Sequence, residues 1–358
     1  MRHFYRRVIL SFACPAILFI ATSCRSNETI GHQWLREECQ ALGTNDAELL
    51  ARSKRLDMLA TESIGRIRKL NVDDKTPDGV KRILSEIDSV LVENNYVVFI
   101  NTKTLSDALT PGIPTSGGAV VRTPQMESHR KKFPDATYYR FDCDTGTIIY
   151  LDILQRLGEP VVMFETPKHN CLRWDLSPTK HINWDVNDAA SYTDDEHRQG
   201  VPHTAGNFDL TAERSEHYLL DMTSDEVEAY HLAIVAGLYK ARGKYDQAIE
   251  CYEASIVGRP YVAMPRNNLA WMIATEPSLQ TSKLHELALT MAQSAVDLEP
   301  KNGNHVDTLA AVYAARHEFE KAIAVESAPN GRQRQTRLDA YQNRCTPVDM
   351  NWRLEPDE

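Results

Sequence analysis

Small residues recur in the last third of this chain at a spacing that commits the region to stacked helices. Tyr239, Ala248 and Tyr252 precede Pro260; Ala288 and Ala295 precede Pro300; Leu309, Ala310, Tyr313 and Ala322 follow in the same order. Ala288 and Ala322 lie 34 residues apart and Ala248 and Ala288 lie 40 apart, so the extra residues belong to the connection around Glu276 to His285. A repeat of this length encodes a helix–turn–helix unit that cannot bury its apolar side alone, and its alanines let paired helices approach closely. The spacing predicts six helices from about Ser224 to Ala328 in three antiparallel pairs. Thr223 and Glu226 make a capping box at the start. Pro329 ends the last unit early, and the remainder to Glu358 reads as a polar cap or tail.

The repeat resembles the tetratricopeptide pattern. Packing alone explains its alanines; a concave face that binds a protein partner is the further expectation.

The amino terminus reads as a targeting segment. Met1 to Arg7 is basic, Val8 to Ile20 is apolar, and Ala21-Thr22-Ser23-Cys24 follows. Small residues before a cysteine resemble the bacterial lipobox, with Ala21 where that pattern usually has leucine. The resemblance implies that residues 1–23 are removed, that Cys24 is acylated, and that the chain is exported and lipid-anchored to a membrane of the cell envelope. The alternative is a plain secretory peptide with an incidental Cys24.

A formal charge of -10 supplies no basic stripe for phosphates, which excludes nucleic acid as the expected partner. The seven cysteines, at 14, 24, 39, 143, 171, 251 and 345, form no CxxC. Without Cys14 and Cys24 five remain, an odd number consistent with a free thiol in an oxidising compartment.

Residues 24–75 show helical periodicity through Leu49, Leu56, Leu59, Ile64 and Leu70, and read as a helical linker from the anchor to the body. Val80, Ile83, Leu84, Ile87, Val90 and Leu91 then define an amphipathic helix over Gly79 to Asn95. Thr110 to Gln125, rich in proline and glycine, reads as a long loop.

Chemistry concentrates between Phe141 and Asp185. Ile148 to Leu157 is an apolar helix closed by Gly158, and Cys143 stands at its start, where free N–H groups and the helix dipole lower a thiol pKa. Asp142 and Asp144 oppose that effect, or instead cap the helix. Val161 to Phe164 and Asn170 to Trp174 read as strands joined by a turn at Pro167; His169 opens the second, and a turn containing Pro178 leads to His181–Asp185. This hairpin allows Asp185 to orient His169, which in turn takes a proton from Cys143.

The order of cysteine, histidine and aspartate, in the contexts Asp142-Cys143-Asp144-Thr145-Gly146, Arg156-Leu157-Gly158-Glu159-Pro160-Val161, Pro167-Lys168-His169, Leu172-Arg173-Trp174 and Ile182-Asn183-Trp184-Asp185, resembles the bacterial transglutaminase-like, papain-like superfamily, in members followed by tetratricopeptide helices. The resemblance implies an α+β protein: a papain/transglutaminase-like core over 76–205, its cysteine-bearing helix packed on an antiparallel sheet, then an all-α tetratricopeptide array over 206–335 and a tail over 336–358. It makes Cys143 the nucleophile, His169 the base and Asp185 the orienter. A cysteine peptidase or amidase, or a transglutaminase-like acyl transferase, acting on a protein or peptide substrate is implied, without cofactor or metal.

One departure is the missing glutamine before the nucleophile; the Cys143 backbone N–H and a hydroxyl of Tyr138 or Tyr139 are the substitute oxyanion donors. Cys171 shares a strand face with His169 and reads first as a small buried hydrophobe, with a Cys143–Cys171 disulfide or a Cys/His/Cys metal site, His181 nearby, as lesser alternatives. Trp174 and Trp184 read as core. The rival function is a non-catalytic scaffold that binds a partner through the same fold and repeats.

Overall fold

A computed structural model of the 358-residue chain describes residues 28–100, 102–112, 123–167, 169–200, 218–329, 331–332 and 334–352. The targeting segment, Cys24, most of the Thr110–Gln125 loop and Lys168 lie outside them. The described residues form a mixed α+β protein with two compact units that divide at Val227/Glu228.

The first unit opens with α1 (Ile30–Leu42), α2 (Asp46–Ile67) and α3 (Pro77–Glu93). Thr29, Asn45 and Thr76 cap them by accepting backbone N–H bonds, and Gly43 closes α1 at φ 63°, a left-handed conformation that suits glycine. The stripe from Val80 to Leu91 is buried, as its spacing requires. The helices expected as a linker pack instead on α6 (Cys143–Leu157). The Gly31 N–H donates to the buried Asp152 carboxylate of α6 at 3.0 Å, and a Cβ on Gly31 would come within 2.7 Å of Leu56. Arg156 of α6 pairs with Asp57 of α2 at 2.8 Å. Periodicity shows that a helix has an apolar side but not what covers it, so the linker reading missed this docking.

A short parallel pair, β1 (Tyr96–Val98) and β2 (Tyr139–Phe141), delivers the chain to α6; α4 (Leu105–Ala108) and α5 (Pro124–Lys132) lie between them in sequence. The main sheet is antiparallel in the order β3 (Val161–Thr166), β4 (His169–Ser177), β5 (Lys180–Asp185), β6 (Ala190–Tyr192), followed by α7 (Asp194–Gln199). Met163 pairs with Leu172 and Leu172 with Trp184, so these residues share one face with Trp174. All four are buried, and that face meets α6, where the Asn170 side chain bonds Asp144. The opposite face carries Phe164, Cys171, Arg173, Asn183 and Tyr192. It is covered by α7 and by Leu219, with Arg173 and Asn183 both donating to Asp194.

Asp88 of α3 stands close to Tyr150 in this core, and burial raises its carboxyl to about 6. A carboxyl whose folded pKa exceeds its unfolded value of 3.8 favours the fold at low pH and loses that contribution as pH rises from 3.8 to about 6. Asp88→Asn is therefore expected to stabilise the protein by about 2–3 kcal/mol at pH 8 and by almost nothing at pH 4. Urea titrations at the two pH values check this; an equal effect at both removes the account.

The second unit holds most of α8 (Ser224–Ala241), which begins just before the division, and then α9 (Tyr245–Gly258), α10 (Met264–Thr275), α11 (Ser282–Leu298), α12 (Gly303–Ala315), α13 (Phe319–Glu326) and α14 (Gln335–Gln342). Thr223 and Glu226 exchange the capping-box hydrogen bonds. Ala248, Ala288 and Ala322 are fully buried, and a 3-10 turn at Pro277–Leu279 occupies the longer connection. Ala248→Phe is expected to overpack α9 and cost about 1–3 kcal/mol in a denaturant titration; an unchanged midpoint counts against a close contact there.

The carboxy terminus corrects the expectation of a polar tail. Ala340, Tyr341 and Trp352 are buried with Trp271, Ala310, Ala314, Phe319 and Ala322 in one apolar cluster. Arg337 enters it, its guanidinium 4.8 Å from the Trp271 ring and 4.6 Å from that of Trp352. The apolar residues of 336–352 are few and lie on an irregular path, so no periodicity announces them.

Candidate active site

Helix α6 begins at Cys143 because Asp142 takes an extended N-cap conformation and forms a capping box with Thr145, whose hydroxyl accepts the Asp142 N–H at 3.1 Å. Gly146 in the first turn lets the helix start pass close to neighbouring side chains: a Cβ there would stand 2.7 Å from Phe141 and 2.9 Å from Val186. Gly158 ends the helix at φ 81°.

Cys143 is half-buried. Its thiol donates to the Asp144 carboxylate at 3.5 Å. The Asn170 side chain holds Asp144 as well. Burial pushes the Cys143 thiol well above its usual range, Asp144 and Asp142 push in the same direction, and the Asn170 N–H opposes them. The helix start thus does not produce a resting thiolate. Burial decides the direction and the two aspartates add to it, a balance that residue order alone leaves open.

Across the strands, His169 and Asp185 form a buried pair, Nε2 to Oδ2 at 2.9 Å. The second oxygen of Asp185 accepts the backbone N–H groups of Asn187 at 2.9 Å and Asp188 at 3.4 Å, which fixes the carboxylate from behind. With Nε2 facing Asp185, Nδ1 is the ring nitrogen that has to take any proton from a sulfur.

The sequence-derived residues are therefore brought together unequally. His169 is joined to Asp185 on the sheet face that α7 covers, whereas Cys143 meets the next residue of the strand, Asn170, on the face toward α6. Among the described residues, metal-type donors within 4.8 Å of one another fall into two groups, His169 with Cys171 and Asp185, and Cys143 with Asp142 and Asp144. Cys171 is fully buried beside Phe164 and Leu219, and its thiol is pushed well up by burial and by Asp185. Cys143 and Cys171 are in no disulfide, so the two are not joined. His181 pairs with Asp194 at 3.2 Å, outside both groups.

The tyrosines expected as oxyanion donors are engaged elsewhere. The Tyr138 hydroxyl donates to the Phe133 carbonyl at 2.8 Å, and the Tyr139 ring stacks on Tyr96 at 5.2 Å with the Arg55 guanidinium 4.0 Å above it. Asn170, Asn187 and Asp188 were not foreseen. The run Asp185-Val186-Asn187-Asp188 carries a readable turn signature, whereas nothing local marks Asn170.

No family model, curated protein or solved structure matches the chain.

Proposed function

We propose that the chain is a cysteine-dependent acyl-transfer enzyme with a papain/transglutaminase-like core, in which Cys143 is nucleophile, His169 base and Asp185 orienter. The observation that carries this reading is the buried His169–Asp185 pair, with Asn170, the residue after His169 on β4, holding Asp144 beside Cys143 at a helix start. The thiol rests neutral, so His169 takes its proton as sulfur attacks the acyl carbon. The carbon–sulfur bond forms, the carbon–nitrogen bond breaks, and the imidazolium returns the proton to the departing amine. Water or a second amine then attacks the thioester and frees Cys143. Asp185 stabilises the imidazolium between these steps, and the Cys143 backbone N–H is the oxyanion donor that the helix start supports.

The helices over Ser224–Glu326 are read as a tetratricopeptide array that binds a protein partner. The amino-terminal pattern is read as export with a lipid at Cys24. No helix among the described residues is long and apolar enough to cross a membrane. Mass spectrometry of the mature amino terminus tests that part: an unmodified Cys24 removes the anchor.

The raised Cys143 thiol favours one other reading, a scaffold that keeps the fold without the chemistry. Trapping separates the two. An activated acyl ester incubated with the protein should leave an acyl adduct that peptide mapping assigns to Cys143 and that Cys143→Ser lacks. No adduct at Cys143 across a range of acyl donors leaves the scaffold.

A further inference from the structure

The strand face beneath α7 sets a third donor, Cys171, beside His169 and Asp185, and the acyl-transfer chemistry does not use it. Leu172 pairs with Trp184, so their neighbours Cys171 and Asp185 share the opposite face, and His169 joins them two residues along the strand. All three are buried, and their ligand atoms lie within 4.8 Å of one another. Ligands of a four-coordinate zinc, at metal–ligand distances of about 2.0–2.3 Å, stand about 3–4 Å apart. The 4.8 Å limit on the present set is close to that spacing.

A second observation points to the same place. His197 of α7 is fully buried, yet neither ring nitrogen has a hydrogen-bond partner. A buried imidazole in that condition forfeits its hydration without replacement, which calls for an explanation. Its ring stands edge-on to Phe164 at 5.5 Å and to Tyr192 at 5.9 Å, and Phe164 lies directly across the ladder from Cys171.

We propose that His169, Cys171 and Asp185 bind one soft divalent cation, zinc in kind, with His197 as the side chain that completes four-coordination. On binding, the Cys171 thiol releases its proton to solvent as the sulfur–metal bond forms, and His169 enters as neutral imidazole. Thiolate and carboxylate together balance the cation's charge. Sulfur, nitrogen and carboxylate oxygen in one buried set suit zinc or cobalt rather than magnesium or calcium. The group around Cys143 is less suited, being consecutive residues of which Asp142 caps the helix and Asp144 is held by Asn170. The site stands on its own geometry; only its consequence rests on the acyl-transfer reading, namely that a bound cation withdraws His169 from proton transfer and inhibits reversibly.

Cobalt titrated into the metal-free full chain is the test, with zinc as competitor. One cobalt per chain with a thiolate-to-cobalt charge-transfer band, displaced by zinc, is expected. The band should disappear in Cys171→Ser and persist in Cys143→Ser, and His197→Phe should weaken zinc binding by about tenfold or more. A wild-type complex without the band overturns the proposal, as does a band that survives Cys171→Ser or is lost with Cys143→Ser. If Cys171→Ser does not fold, the wild-type and Cys143→Ser spectra still decide it. The expected spectra in a chain that shows no acyl transfer uphold the site and remove the enzyme reading alone.

Discussion

Cys143→Ala is expected to lower acyl transfer by at least about a thousandfold, equivalent to about 4 kcal/mol of lost transition-state stabilisation. The reasoning is that alanine removes the atom that carries the acyl group, while the helix start it occupies is held by Asp142, Thr145 and Gly146 and should survive. His169→Ala should cost a similar factor, since a thiol kept neutral by burial and two aspartates depends in this mechanism on His169 to take its proton. The double variant should be no worse than either single one, because residues that act as a unit are not additive. Asp185→Asn should also lower the rate, by changing which imidazole nitrogen carries the proton. Rates of amide hydrolysis and of amine incorporation, measured with the same peptide donor, check all four. A Cys143→Ala protein that retains activity within about tenfold of the parent is incompatible with the mechanism.

Arg337→Ala is expected to destabilise the second unit by about 3–5 kcal/mol. Arg337 is buried, with its guanidinium between the indoles of Trp271 and Trp352 and 2.7 Å from the Asp307 carboxylate. Burial raises Asp307 to about 8 and raises Glu326 as well, while the Arg337 charge opposes both. Removing the cation leaves two buried carboxyl groups without this counter-charge and opens a gap between two aromatic rings. Denaturant unfolding followed by tryptophan fluorescence reads the loss directly. A change below about 1 kcal/mol would mean that the cluster contributes little to the fold, since even the smaller of its two parts, packing between the rings, is of that order.

Much of this was legible because local chemistry dictated it. The helix over Cys143–Leu157 follows from an apolar run with a cap at each end, and the helices over Ser224–Glu326 follow from alanine spacing. The strands around His169 and Asp185 follow from short β-branched and aromatic runs separated by proline turns, and those turns suffice to pair the two residues. What escaped the sequence depends on contacts distant along the chain. That α1 and α2 dock on α6 is decided by one glycine meeting Asp152 and by Arg156 meeting Asp57. That residues after Gln335 are core is decided by a few aromatic and alanine positions with no common period. Asn170 bears on Cys143 through its backbone N–H, which any residue but proline supplies, so its identity gave no signal. The upward shift of the Cys143 thiol is a matter of magnitude: the helix start and the flanking aspartates oppose one another, and burial decides between them.

The most direct test of the central claim is the rate of Cys143 alkylation by a neutral thiol-reactive probe as a function of pH, in the parent chain and in His169→Ala, with the modified residue identified by peptide mapping. If His169 takes the Cys143 proton, the parent should be alkylated at pH values well below the rise expected of a buried thiol alone, and that reactivity should vanish in His169→Ala. Identical profiles that rise only at high pH in both proteins would show that Cys143 and His169 do not act together, and would contradict the account.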